Sequence, residues 1–165
     1  MLDNLPSFWY IVFNEMREDP QKLKGEHTMS TRSMIAFQDA DGACYAVYCH
    51  FDGYIQHMGK MLTVHFNSEE KAIALVNEGE LRSIDENKDG NVELEHFEED
   101  FNKREIEYYD NTVQMLDAFH MSDRDYLYLW DDIAEEWLFR KAGYIENGKC
   151  SSEWKSVMEE LLHGD

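Results

Sequence analysis

The chain reads as an α+β protein: an antiparallel sheet built from hairpins and covered by helices, with an amphipathic helix at the N-terminus. Three observations predict this. Runs rich in β-branched and aromatic residues come in pairs around turn residues, stretches with helical apolar spacing lie between them, and the composition can fill a core. Of 165 residues, 43% are hydrophobic and 13% aromatic, enough for one domain with a buried interior.

Pro6 suits a first helical turn, and Phe8, Trp9, Val12, Phe13 and Met16 form an apolar stripe up to Pro20. Residues 1–28 are therefore expected to be a helical extension with a polar connector, "PQKLKGEHT", and residues 29–165 a single α+β domain. Strands are expected over 32–38 and 43–50, joined through a D-A-D-G turn in which Gly42 supplies a positive φ. Tyr45, Val47 and Cys49 would share one face of the second strand, and Ala46, Tyr48 and His50 the other. "YIQHMGKMLTVHF" reads as a helix with Ile55, Met58, Leu62 and Phe66 in line. Asn67-Ser68 caps a further helix that Gly79 ends. "VELEHFEEDFNKREIEYYD" reads as a charged helix, or a helix running into a strand, and "NTVQMLDAFHM" as a helix. "DYLYLW" and "EWLFRKAGY" flank "DDIAE" as a second hairpin. Ser151 or Ser152 is expected to cap a last helix with Trp154, Val157 and Leu161 inward.

Charge is the outlier: 35 acidic against 15 basic residues give a net −20 and a pI near 4.5. Such a field repels nucleic acid and anionic membranes and attracts cations or basic proteins, although acidic surfaces also serve solubility alone. Direct nucleic-acid binding, which needs Lys and Arg against phosphates, is not expected. Three cysteines, Cys44, Cys49 and Cys150, form no paired framework and suit free thiols in a reducing cytoplasm. The apolar run Phe8–Phe13 is too short to span a bilayer and has no basic stretch before it.

The segment 84–97, "IDENKDGNVELEHF", resembles an EF-hand calcium loop. Asp85, Asn87 and Asp89 take the first three ligand places, Gly90 the sharp turn, Asn91 the carbonyl place and Glu93 the ninth. The twelfth place, which needs a bidentate carboxylate, holds His96, and imidazole is a poor ligand for a hard cation. A weak Ca²⁺ site is one reading. The missing ligand favours the other, a turn in which Asp and Asn side chains bond their own backbone.

"CHFDGYIQH" gathers Cys49, His50, Asp52 and His57, with His65 further on. A strand puts Cys49 and His50 on opposite faces, and His57 and His65 are too far apart for paired helical ligands. An enzyme using His50 and Asp52 in a cleft beside the first hairpin remains a third reading. No phosphate loop, nucleophile elbow or zinc spacing occurs.

Acids are concentrated. Glu69–Asp110 holds fifteen acidic and five basic residues, and Asp123–Glu136 six and one. If the second hairpin lies beside the first of these regions, the two make one negative face, able to stand in for duplex phosphates. A solvated surface is the ordinary explanation of such runs. Glu93, Glu95, Glu98, Glu99, Asp100, Glu105 and Glu107 are the candidate contact residues.

From Met29 to about Ile84, "MSTRSMIAF", "YAVYCHFDGY", "GKML" and "LVNEGELRSI", together with the later "DYLYLW…EW", resemble a family of small, mostly uncharacterised phage and bacterial proteins. The resemblance implies no catalytic residue. It implies that residues 1–28 are an extension, that the acidic loop is an insertion, and that the setting is a phage or prophage accessory protein. The leading expectation is a non-enzymatic, cytoplasmic interaction protein. It would occupy a basic, nucleic-acid-binding host protein as an anti-defence inhibitor.

Overall fold

The two apolar runs with the least polar interruption become the centre of the sheet. In the computed structural model, which describes residues 30–143, 145–146, 149–150 and 153–164, β1 (Ser33–Gln38) and β6 (Tyr126–Asp131) lie side by side. They run parallel, in register from Ser33↔Tyr126 to Phe37↔Trp130. Both are covered on two faces, which is why they read as near-continuous hydrophobic runs.

The remaining strands are β2 (Cys44–Cys49), β3 (Leu81–Glu86), β4 (Val92–His96), β5 (Glu107–Tyr109), β7 (Glu136–Lys141) and β10 (Lys155–Ser156). Their order is β10-β7-β6-β1-β2-β3-β4, with β5 also paired to β2. A separate ribbon pairs β8 (Ile145–Glu146) with β9 (Lys149–Cys150). The fold is α+β, with a mixed but mostly antiparallel sheet. Both expected hairpins form. The first turns on Gly42 (φ +91°), where Asp39 Oδ1 accepts from the amides of Asp41 and Ala43. The second turns on Asp131, whose Oδ1 accepts from Ile133 and Ala134.

Helices cover both faces. On one, a π-helical turn (Ile55–Gly59) running into α1 (Lys60–His65), α2 (Glu69–Asn77) and α4 (Val157–His163) pack on Ile35, Val47, Cys49, Tyr128 and Trp130. Ile55, Met58, Leu62 and Phe66 are buried there, as the helical spacing predicts. Ser68 caps α2 by accepting from the Lys71 amide, and Gly79 (φ +81°) follows its end. On the other face α3 (Thr112–His120) sends Met115 and Phe119 against Met34, Ala36, Ala46, Leu127 and Leu129.

Three expectations need correction. The charged helix after the acidic loop does not form. Val92–His96 is a strand paired with β3, followed by a 3₁₀ turn (Phe101–Lys103) and the short β5. Its V-E-L-E-H pattern alternates, so Val92 and Leu94 reach the core while Glu93 and Glu95 stay outside. The last helix starts at Val157, with Ser156 accepting from the Glu159 amide; Ser151 and Ser152 lie outside the described residues. Trp154 therefore does not share an inner face with Val157 and Leu161. It packs with the α3 cluster on the opposite side, under Arg140. The N-terminal helix also lies outside the described residues. Among the described residues no helix is long and apolar enough to cross a membrane.

Candidate functional site

The acidic loop closes a hairpin, and its side chains serve that turn. The amide of Asn87 donates to the Asn91 carbonyl, and the amide of Gly90 to the Asn87 carbonyl. Asn87 Oδ1 accepts from the Asp89 and Asn91 amides, each at 3.0 Å, while its Nδ2 donates to Glu93. This is the side-chain-to-backbone turn. Asp85 points elsewhere, accepting from the Ser83 hydroxyl and facing His57. Among the described residues Asp85 converges with Asp52 and His57, and Asp89 and Glu93 are not in that group.

His96, at the twelfth place, accepts at Nε2 from Arg104, 3.0 Å away. Burial, and next the Arg104 charge, lower its pKa, which keeps that lone pair available. Arg104 also donates to the carbonyls of Glu98, Glu78 and Glu99 and pairs with the Glu78 carboxylate. One guanidinium thus organises the 97–103 loop through its backbone. The carboxylates of Glu98 and Glu99 have no Lys or Arg partner among the described residues, and neither do Glu93 and Glu105.

The other three candidates differ. Glu95 meets Arg82 at 3.5 Å, and Asp100 meets Lys103 at 3.5 Å, both in the open. Glu107 is a structural partner: Arg124 grips it with both terminal nitrogens, and the Tyr109 hydroxyl donates to it. Burial, then Glu107, pushes the Tyr109 hydroxyl up to about 12. Burial opposes the Arg124 charge, but Glu107 outweighs it and holds the guanidinium above its ordinary value.

Aromatic side chains share this end of the molecule, and the sequence reading missed them. Phe97 and Phe101 are exposed, and so are Ile106 and Tyr108, although the Tyr108 ring packs against Tyr45 and the Phe97 ring against Tyr48. Arg82 lies 5.3 Å over the Phe97 ring and Arg104 5.4 Å over Phe101. Behind the loop a cleft of about 250 Å³ is lined by Tyr48, Glu80, Glu105, Glu107, Ser122, Asp123 and Arg124. Asp123 therefore joins the acids of the loop. Asp131, Asp132, Glu135 and Glu136 do not, because the β6–β7 hairpin is separated from β4 by β1, β2 and β3. The single face uniting both acidic regions is replaced by a smaller one.

His50 and Asp52 form no dyad. His50 shares a 2.6 Å hydrogen bond with the Tyr48 hydroxyl and sits among Phe51 and Phe97. Asp52, which has a left-handed backbone (φ 55°), groups with His57 and Asp85. Cys49 is buried, and burial above all pushes its thiol up to about 12, which leaves it a poor nucleophile. No protein-family model, curated protein or solved structure matches the chain.

Proposed function

We propose that the chain is an acidic interaction protein whose β4 edge and 97–106 loop occupy a cationic groove on a partner. The concrete form is an inhibitor of a nucleic-acid-binding host protein, in the phage or prophage setting that the sequence resemblance implies. The observation that carries this reading is the use of Arg104. Its charge is directed at carbonyls, His96 and Glu78, and so leaves the Glu98 and Glu99 carboxylates without a cation among the described residues. Unneutralised carboxylates at Glu93, Glu98, Glu99 and Glu105 supply long-range attraction to a basic surface. Phe97 and Phe101 supply the apolar anchors that make an interface hold once it forms. The edge strand β4, whose outward residues are Glu93 and Glu95, is protected from pairing with its own kind by those charges.

Capture from host lysate on the immobilised chain at increasing salt tests the reading. A partner held by this face is retained at ~50 mM salt and released several-fold by ~0.5 M, as the screening length shrinks. The triple substitution Glu98→Gln, Glu99→Gln, Glu105→Gln should lower retention at least tenfold while leaving the melting temperature within ~2 °C, since none of the three has a Lys or Arg partner among the described residues and glutamine at 98 can still accept from the Asp100 amide. Retention indifferent to both salt and the triple substitution removes the proposal.

A further inference from the structure

We propose that Asp52, His57 and Asp85 form a binding site for a divalent first-row transition ion. The site is distinct from the acid-and-aromatic face and does not depend on its function. The three residues come from three elements, and the sheet brings them together. β2 pairs with β3 at Cys49↔Leu81, and the chain then follows β3 a little further, with the His50 and Phe51 amides donating to the Leu81 and Arg82 carbonyls. At Asp52 it turns away in the left-handed conformation. Among the described residues no strand pairs with the edge of β3 beyond that point, and the ring of His57 meets it there.

His57 Nε2 lies 2.7 Å from the Ile84 carbonyl. A carbonyl only accepts, so Nε2 carries the proton and Nδ1 the lone pair. A histidine fixed through one ring nitrogen by a backbone carbonyl is the usual arrangement behind a metal-ligating imidazole. Asp85 is held from its other side: the Ser83 hydroxyl donates to its Oδ2 at 2.9 Å, and Oδ1 lies 3.5 Å from His57 Nε2, the nitrogen that faces Ile84. Among the described residues the Asp52 carboxylate has no ion pair to surrender. One ligand atom from each residue lies within 4.8 Å of the others. Ligands at ~2.1 Å from a tetrahedral ion are about 3.4 Å apart, so no pair of these atoms has to close by more than roughly 1.4 Å.

Charge points the same way. No Lys or Arg among the described residues pairs with Asp52 or Asp85. Two carboxylates and an imidazole suit Zn²⁺ or Mn²⁺, whereas Ca²⁺ asks for six to eight oxygens. Half of the Asp85 side chain is exposed (51%), so an ion bound here keeps positions open to solvent.

Titration calorimetry of the full chain with ZnCl₂, and separately with CaCl₂, tests the site. One Zn²⁺ per chain, with Zn²⁺ favoured over Ca²⁺, is the expected result. Asp52→Asn and Asp85→Asn should each weaken Zn²⁺ binding at least tenfold. Asparagine is chosen because it tolerates the left-handed backbone at 52 and can still accept from Ser83 at 85. Asp89→Asn, in the neighbouring turn, should change nothing. Circular dichroism establishes that each variant is folded, and Asp85→Asn decides alone if the bend at 52 does not tolerate change. Absence of saturable Zn²⁺ binding, binding unaltered in the folded variants, or loss of binding in Asp89→Asn overturns the assignment.

Discussion

Replacing Gly53 with alanine is expected to destabilise the domain by about 3 kcal/mol, at the upper end of overpacking effects. That corresponds to a fall in melting temperature of roughly 10 °C for a chain of this size. The cause is proximity and not φ. A Cβ on Gly53 would stand 2.8 Å from the Ser33 Cβ, 2.9 Å from the Thr31 carbonyl oxygen and 3.0 Å from the Arg32 carbonyl carbon. Two of these are backbone atoms at the entrance to β1 and cannot rotate aside. Gly53 is also bonded in place from two directions. Its amide donates to the Thr31 carbonyl, and its own carbonyl accepts at 2.8 Å from the buried Tyr128 hydroxyl. Pushing Gly53 away therefore strains the start of β1 and the contact with β6 together. Tyr128→Phe removes only the second of these bonds and should cost about 1–2 kcal/mol. Thermal unfolding of both variants checks the ranking; a fall below ~2 °C in Gly53→Ala would show that the corner is loose.

That corner explains why "HFDGY" stands out as a sequence. Its residues divide between packing and chemistry: Gly53 for close approach, Asp52 for the bend and its carboxylate. Local pattern was enough to place both hairpins, α2 with its Ser68 cap, and the helical stripe from Ile55 to Phe66. What local pattern does not encode is which strands become neighbours. The parallel pairing of β1 with β6 joins segments some ninety residues apart, and neither carries a mark of the other. The same holds for the cluster of Asp52, His57 and Asp85. Spacing makes His57 look unpaired because even His65 lies two turns away, whereas its neighbour Asp85 arrives through β3. The acidic segment was misread for another reason. A high density of glutamate suggests an exposed helix, yet the strict alternation of Val92, Glu93, Leu94 and Glu95 was the stronger signal. His65, too, finds its partner only in three dimensions, 2.7 Å from Glu86 of β3.

Arg124→Met should destabilise by about 2–3 kcal/mol, somewhat less than the ~3–5 kcal/mol of a fully buried pair broken on one side. The pair is mostly enclosed: 15% of the Arg124 side chain and 28% of Glu107 are exposed. Methionine keeps much of the stem's packing, so the loss comes from charge. Glu107 would remain within β5, next to the Tyr109 hydroxyl, with no guanidinium to balance it. Arg124 also lies 5.4 Å over the Tyr48 ring, so β2, β5 and the segment before β6 are joined through this one side chain. Glu107→Gln should cost less, about 1–2 kcal/mol, because Arg124 can turn its charge toward the cleft it lines. If the two act on one interaction, the double variant is less destabilised than the sum, by ~1 kcal/mol or more in urea unfolding. Full additivity would mean that the pair is not coupled. The comparison also separates the acids by task. Glu107→Gln should alter stability, while Glu98→Gln and Glu99→Gln, on the same face, should alter only what that face attracts. A carboxylate already gripped by an arginine has little field left to offer a partner, and this is why seven acids adjacent in sequence do not contribute as seven.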